Sequence, residues 1–153
     1  MFSNLFVQSN RTLLNISMLL IRITVGGITF YSGAGKVFAW FGGYGLEKTL
    51  EAFWTMMKIP PFWVYMCAFT ELIGGFLMMI GLFTRPAAFA VMINFITATI
   101  LVGMDKFWTG GGNFPFTLAI GSMAVLLVGP GDFSLDALLF KRKVVDLAMG
   151  NRQ

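Results

Sequence analysis

Apolar residues fall in four long stretches, separated by short polar or glycine-rich breaks. The first runs from about Thr12 to Tyr31 and holds one charge, Arg22; the second, Phe62 to Phe83, holds only Glu71. The third, Ala87 to Gly103, and the fourth, about Gly112 to Gly129, hold none. A bilayer crossing takes about 20 apolar residues, so each stretch predicts a membrane-spanning helix, the fourth being the shortest. The breaks carry the punctuation such helices need. Pro60-Pro61 precedes the second stretch, Gly81 to Arg85 makes a tight hairpin, Pro86 opens the third, and Gly129-Pro130-Gly131 ends the fourth.

Two further segments have a different rhythm. Leu46, Leu50, Phe53, Trp54 and Met57 recur at helical spacing, with Glu47, Lys48 and Glu51 off that face. This predicts an amphipathic helix lying in the membrane interface. Ser134 to Ala148 predicts another, with Ser134 as N-cap and Lys141, Arg142 and Lys143 along it. The expected fold is all-α and a single domain over residues 1–153. It is an integral membrane four-helix bundle with an outer interfacial amphipathic helix and a C-terminal cytoplasmic helix.

Composition agrees. Of 153 residues, 57% are hydrophobic and 12% charged, about half the usual charged share of a soluble domain. A soluble enzyme of this size has no interior large enough for that much apolar side chain. The net charge of +4 does not signal nucleic-acid binding, because the one basic cluster, Lys141 to Lys143, flanks an apolar segment. Four spans place both termini on the side of the second-to-third hairpin. That side carries Arg11, Arg85, Lys141, Arg142, Lys143 and Arg152, against Lys36, Lys48, Lys58 and Lys106 opposite. The richer side is expected to be cytoplasmic, with Trp40, Trp54, Trp63 and Trp108 forming a belt at the outer interface. The expected location is the inner (plasma) membrane. Arg11, the apolar stretch and Ser32-Gly33-Ala34 imitate a signal peptide, but the stretch is too long for one and is read as a retained span.

The chemistry is narrowed by what is missing. With no histidine there is no Ser-His-Asp triad, histidine-ligated haem or imidazole acid-base catalysis, and with Cys67 alone there is no internal disulfide relay. No metal-ligand spacing is present. Gly33-Ala34-Gly35-Lys36 falls short of a phosphate-binding loop, since Phe30 and Val37 stand where that motif needs Gly and Ser or Thr.

What remains is the set of intramembrane polar residues, which are costly in lipid and must face inward. Counted from the ends of the apolar stretches, Arg22, Glu71, Asn94 and Ser122 fall about 15, 18, 12 and 10 Å above the cytoplasmic edge. They therefore converge on one layer, with Arg22 and Glu71 as expected ion-pair partners. That pair reads either as a clasp fixing helix register or as a ligand site. Lys36 shares a helical stripe with Arg22 through Gly26, Thr29 and Gly33, with Trp40 just beyond; it reads as a snorkelling interface lysine or as a site cation. The candidate ligand residues are thus Arg22, Lys36, Trp40, Glu71 and Asn94. The expected entry is between the first two spans, with Leu46 to Met57 as a lid.

Several ordered pieces of the chain resemble the DoxX family. They are Arg22 in the first span, Ser32 to Lys36 followed by Phe41-Gly42-Gly43-Tyr44-Gly45-Leu46, Thr70-Glu71-Leu72-Ile73-Gly74-Gly75, Gly81-Leu82-Phe83-Thr84-Arg85, and Gly129-Pro130-Gly131-Asp132-Phe133-Ser134-Leu135-Asp136. The resemblance runs from about Leu14 to Leu139. It implies a four-helix inner-membrane protein akin to the small subunit of thiosulfate:quinone oxidoreductase. That points to a membrane subunit of an oxidoreductase system handling quinone or a small sulfur compound. The chain itself carries no cofactor, so the candidate cofactor is a bound quinone. The candidate partners are the lipid bilayer, a soluble or membrane redox protein and further copies of the chain, with no nucleic acid. The alternative is a non-catalytic scaffold or small-molecule-binding assembly protein. The chain departs from the family after the third span: Met104-Asp105 and Asn113-Phe114-Pro115 stand where members often carry a His and a Glu before Tyr-Pro.

Overall fold

The computed structural model describes residues 11–104, 107–109 and 111–140. All regular structure among them is helical. Helix α1 is Arg11–Phe38, followed by a single 3-10 turn at Trp40–Gly42 and by α2, Gly45–Met57. Helix α3, Pro61–Ile80, is continuous but widens to a π-helical turn at Thr70–Gly74. Helices α4, Thr84–Gly103, and α5, Asn113–Val128, complete the bundle. Three helices, α1, α3 and α4, are long and apolar enough to cross a membrane; α5 is apolar and shorter, at 16 residues. A further helical segment occupies 135–140. Lys141 to Ala148, the rest of the expected C-terminal helix, lies outside the described residues.

Local chemistry sets the ends. Pro61 occupies the first turn of α3, where a missing N–H costs nothing. Gly81, at φ +75°, terminates α3, and the Gly81 and Leu82 amides both donate to Leu77 O at 2.9 and 3.0 Å. Ser134 caps the next helical segment, its Oγ accepting from Ala137 N at 3.1 Å, as expected from the sequence.

The helices run up and down, α1 against α3 and α4 against α5. Met18, Val25, Met78, Val91, Phe95 and Val125 fill the core between them. Most other large apolar side chains face outward, as a bundle surrounded by lipid requires. Between α4 and α5 lies an apolar groove of about 340 Å³, lined by Met92, Ile96, Met104, Phe107, Phe116 and Met123.

The contact between α1 and α3 fixes the register. A Cβ built on Gly33 would lie 2.3 Å from Leu72 N, and one on Gly26 would lie 2.7 Å from Met79 N. One on Gly81 would lie 1.8 Å from Arg22 Nη1. Residue 33 is therefore level with 72, and residue 22 with the α3–α4 hairpin. The glycines of the α1 stripe thus receive the α3 backbone. One expectation is corrected. The level of Arg22 is the hairpin end of the bundle, not its middle. Measuring depth from Thr12 places Arg22 too high, because the first turns of α1 run past the hairpin and pack beside the segment after α5. There Asn15 Nδ2 donates to Asp132 Oδ2 at 2.6 Å.

Candidate binding site

Lys36, near the end of α1, meets Glu71 and Asn94 about halfway along α3 and α4, on the loop side of Arg22. Lys36 stands in the last turns of α1, Glu71 in the π-turn of α3 and Asn94 on α4. Lys36 Nζ donates to Glu71 Oε2 in an ion pair. Asn94 Nδ2 donates to Oε1 of the same carboxylate at 3.3 Å. Cys67 Sγ also donates to Oε1, at 3.5 Å. The Glu71 side chain is 3% exposed and that of Lys36 is 24% exposed. The carboxylate is thus sealed in the bundle while its cation faces outward.

The expected Arg22–Glu71 pair does not form, and helix direction explains why. Side chains lean toward the N-terminus of their own helix. On antiparallel helices Arg22 leans to the hairpin end and Glu71 to the loop end, so the two diverge. Lys36 and Glu71 lean toward each other. Arg22 is fully buried elsewhere. Its Nη2 donates to Phe133 O, while Nε and Nη1 find no partner among the described residues. Asp136 supplies the negative charge of that region, accepting from Phe83 N and Thr84 N at 2.8 Å each. Ser122 does not join the Glu71 layer either; its Oγ donates to Leu118 O in its own helix at 2.8 Å.

Cys67 is not among the sequence candidates. The available signal is its position four residues before Glu71, on the same helical face. The π-turn that holds Glu71 leaves no trace in the sequence. Such single-turn expansions occur often at functional positions.

Lys36 also lines a cleft of about 230 Å³ with Tyr31, Trp40, Phe41, Tyr44 and Thr49. Trp40 therefore does join Lys36, at the wall of this cleft and outside the ion pair. The cleft lies between α1, the 39–44 loop and the start of α2. The expected entry between α1 and α3 is closed by glycine packing. The Tyr31 and Phe41 rings stack with centroids 4.9 Å apart. Ala39 and Phe41 hold left-handed backbone conformations at φ +59° and +57°, a cost of about 1–3 kcal/mol each. Gly43 anchors the loop: a Cβ there would lie 2.3 Å from Gly35 O. Among the described residues no cluster of three His, Cys, Asp or Glu side chains is placed to hold a metal ion.

These features define a polytopic helical membrane protein with a sealed carboxylate, its cation turned to an aromatic cleft. The chain belongs to the DoxX family, whose profile matches residues 17–104. It is 33% identical over 128 residues to CatD of Bacillus subtilis, a provisionally named oxidoreductase, covering 84% of this chain and 90% of CatD. It is 26% identical over 132 residues to the inner membrane protein YqjF of Escherichia coli, covering 84% of this chain and 95% of YqjF. No solved structure matches the chain.

Proposed function

We propose that this chain is the membrane component of an oxidoreductase system, and that its 36–44 cleft binds the head group of a quinone or a small sulfur oxyanion. The observation that carries the reading is the Lys36–Glu71 pair at the wall of an aromatic cleft. Four rings, from Tyr31, Trp40, Phe41 and Tyr44, offer stacking faces for a planar ring. Lys36 offers an ammonium to a carbonyl or sulfonate oxygen, and Glu71 behind it holds that ammonium in place. At about 230 Å³ the cleft is smaller than the 300–1,000 Å³ common for drug-sized ligands, so it suits one ring with any tail lying in lipid. A quinone, when bound, supplies the electron-carrying chemistry; the chain binds and orients it. The oxidoreductase name of CatD favours the same class. We also propose that the hairpin end and both termini face the cytoplasm of an inner membrane, from the distribution of basic residues.

The self-contained bonding of Glu71 favours a second reading, a structural clasp in a non-catalytic scaffold. Titration of a short-tailed, water-soluble quinone, followed by quenching of tryptophan emission, separates the two. Saturable quenching is expected, weakened in Lys36→Met and in Tyr44→Ala and reduced in amplitude in Trp40→Phe. Quenching that is identical in folded Lys36→Met and Tyr44→Ala refutes the cleft as a quinone site and leaves the scaffold.

A further inference from the structure

The hairpin end carries a surface that the bundle does not use. Asp136 N donates to Gly81 O at 2.8 Å, and its carboxylate accepts from Phe83 N and Thr84 N. These bonds press the segment after α5 against the α3–α4 turn and hold five large apolar side chains in one region. All five, Phe83, Phe133, Leu138, Leu139 and Phe140, are more than half exposed. Beside them, a Cβ on Gly129 would lie 3.3 Å from Arg85 Nε and Nη2, so the guanidinium lies across the end of α5. Arg85 is exposed and has no carboxylate in ion-pair reach among the described residues.

The carboxylates at this end are turned onto neutral donors, and the exposed charge is a cation. Asp136 is committed to two backbone amides and Asp132 to Asn15, while Arg22 is buried. Among the described residues Arg85 is left as the outward-facing charge of the hairpin, and Lys141, Arg142 and Lys143 follow Phe140 directly in sequence. An exposed apolar patch beside an unpaired guanidinium, at the level where membrane-spanning helices end, matches one environment. That environment is the headgroup layer, with acyl chains beneath and phosphates above. A guanidinium is also the side chain best shaped to hold a phosphate through two parallel hydrogen bonds.

We infer that the hairpin end is a docking surface for anionic phospholipid, with Arg85 on the phosphate and Phe83, Phe133 and Leu138 to Phe140 in the acyl boundary. This stands apart from the proposed cleft, which lies at the opposite end. The test uses the full chain in a neutral detergent, with dioctanoyl phosphatidylglycerol, dioctanoyl phosphatidylcholine and inorganic phosphate as probes. Bound lipid is counted by native mass spectrometry. Phosphatidylglycerol should bind at least about tenfold more tightly than phosphatidylcholine. Arg85→Gln should weaken phosphatidylglycerol about fivefold, the equivalent of about 1 kcal/mol per basic residue near a charged surface, and leave phosphatidylcholine unchanged. Equal binding of the two lipids overturns the inference. Undiminished phosphatidylglycerol binding by folded Arg85→Gln does so as well. Displacement of the lipid by equimolar inorganic phosphate shows a free-phosphate site instead.

Discussion

Replacing Lys36 by Met should destabilise the protein more than replacing Glu71 by Gln, although each change breaks the same ion pair. The asymmetry follows from burial. Lys36→Met strands a carboxylate that is 3% exposed, with only the Asn94 amide and the Cys67 thiol, among the described residues, left to donate to it. Breaking a buried pair in this way costs about 3–5 kcal/mol, and we take about 3 because the lysine side is partly exposed. Glu71→Gln leaves a lysine that is 24% exposed at the wall of a cleft, where water can reach it. That loss is about 1.5 kcal/mol, the value of one charged hydrogen bond. The double variant has no stranded charge, and the amide oxygen introduced by Glu71→Gln still accepts from Asn94. It should cost about 2 kcal/mol, well below the sum of the singles. Unfolding by sodium dodecyl sulfate in mixed micelles, followed by tryptophan emission, measures all three. Strict additivity, or a Glu71→Gln variant less stable than Lys36→Met, refutes the argument from burial.

Gly33→Ala should cost about 3 kcal/mol, the upper range for overpacking, because the added carbon meets the Leu72 backbone at 2.3 Å. Gly27→Ala, whose added carbon would lie 3.9 Å from Met79 Sδ, should be neutral or stabilising in the same melts. Asp136→Ala removes the cap of α4 and should lower stability by about 1–2 kcal/mol, measured by thermal unfolding in detergent. In a Cys67→Ala background on intact cells, an impermeant maleimide should label Lys48→Cys and spare Lys141→Cys; the reverse pattern inverts the proposed topology.

The number of helices, their rough limits and the inward stripe of Arg22, Gly26, Thr29, Gly33 and Lys36 are all legible in the spacing of apolar residues. That spacing reports which face of a helix is buried, because the period is fixed at about 3.6 residues. It does not report where along the membrane normal a helix begins. Thr12 reads as an edge because hydropathy does not distinguish lipid from the protein surface that Met18 and Asn15 pack against. The partner of Glu71 depends on that zero and on the lean of side chains along antiparallel helices. Taking the lean into account selects Lys36. The π-turn at Thr70–Gly74 and the Asp136 cap depend on contacts between distant segments, and no local pattern encodes them.

Arg22 and Lys36 stand fourteen residues apart on α1, about 21 Å along its axis. Helix α5, with 16 residues, reaches about 24 Å. The hydrocarbon layer of an ordinary bilayer is about 30 Å thick. The 20-residue helices α3 and α4 reach about 30 Å, so the mismatch is confined to α5, beside which the leaflets draw together at a cost of a fraction of a kcal/mol for each Å. The penalty falls as acyl chains shorten. The α5 side of the bundle, with the apolar groove it shares with α4, is therefore where the fit between protein and lipid depends most on membrane thickness.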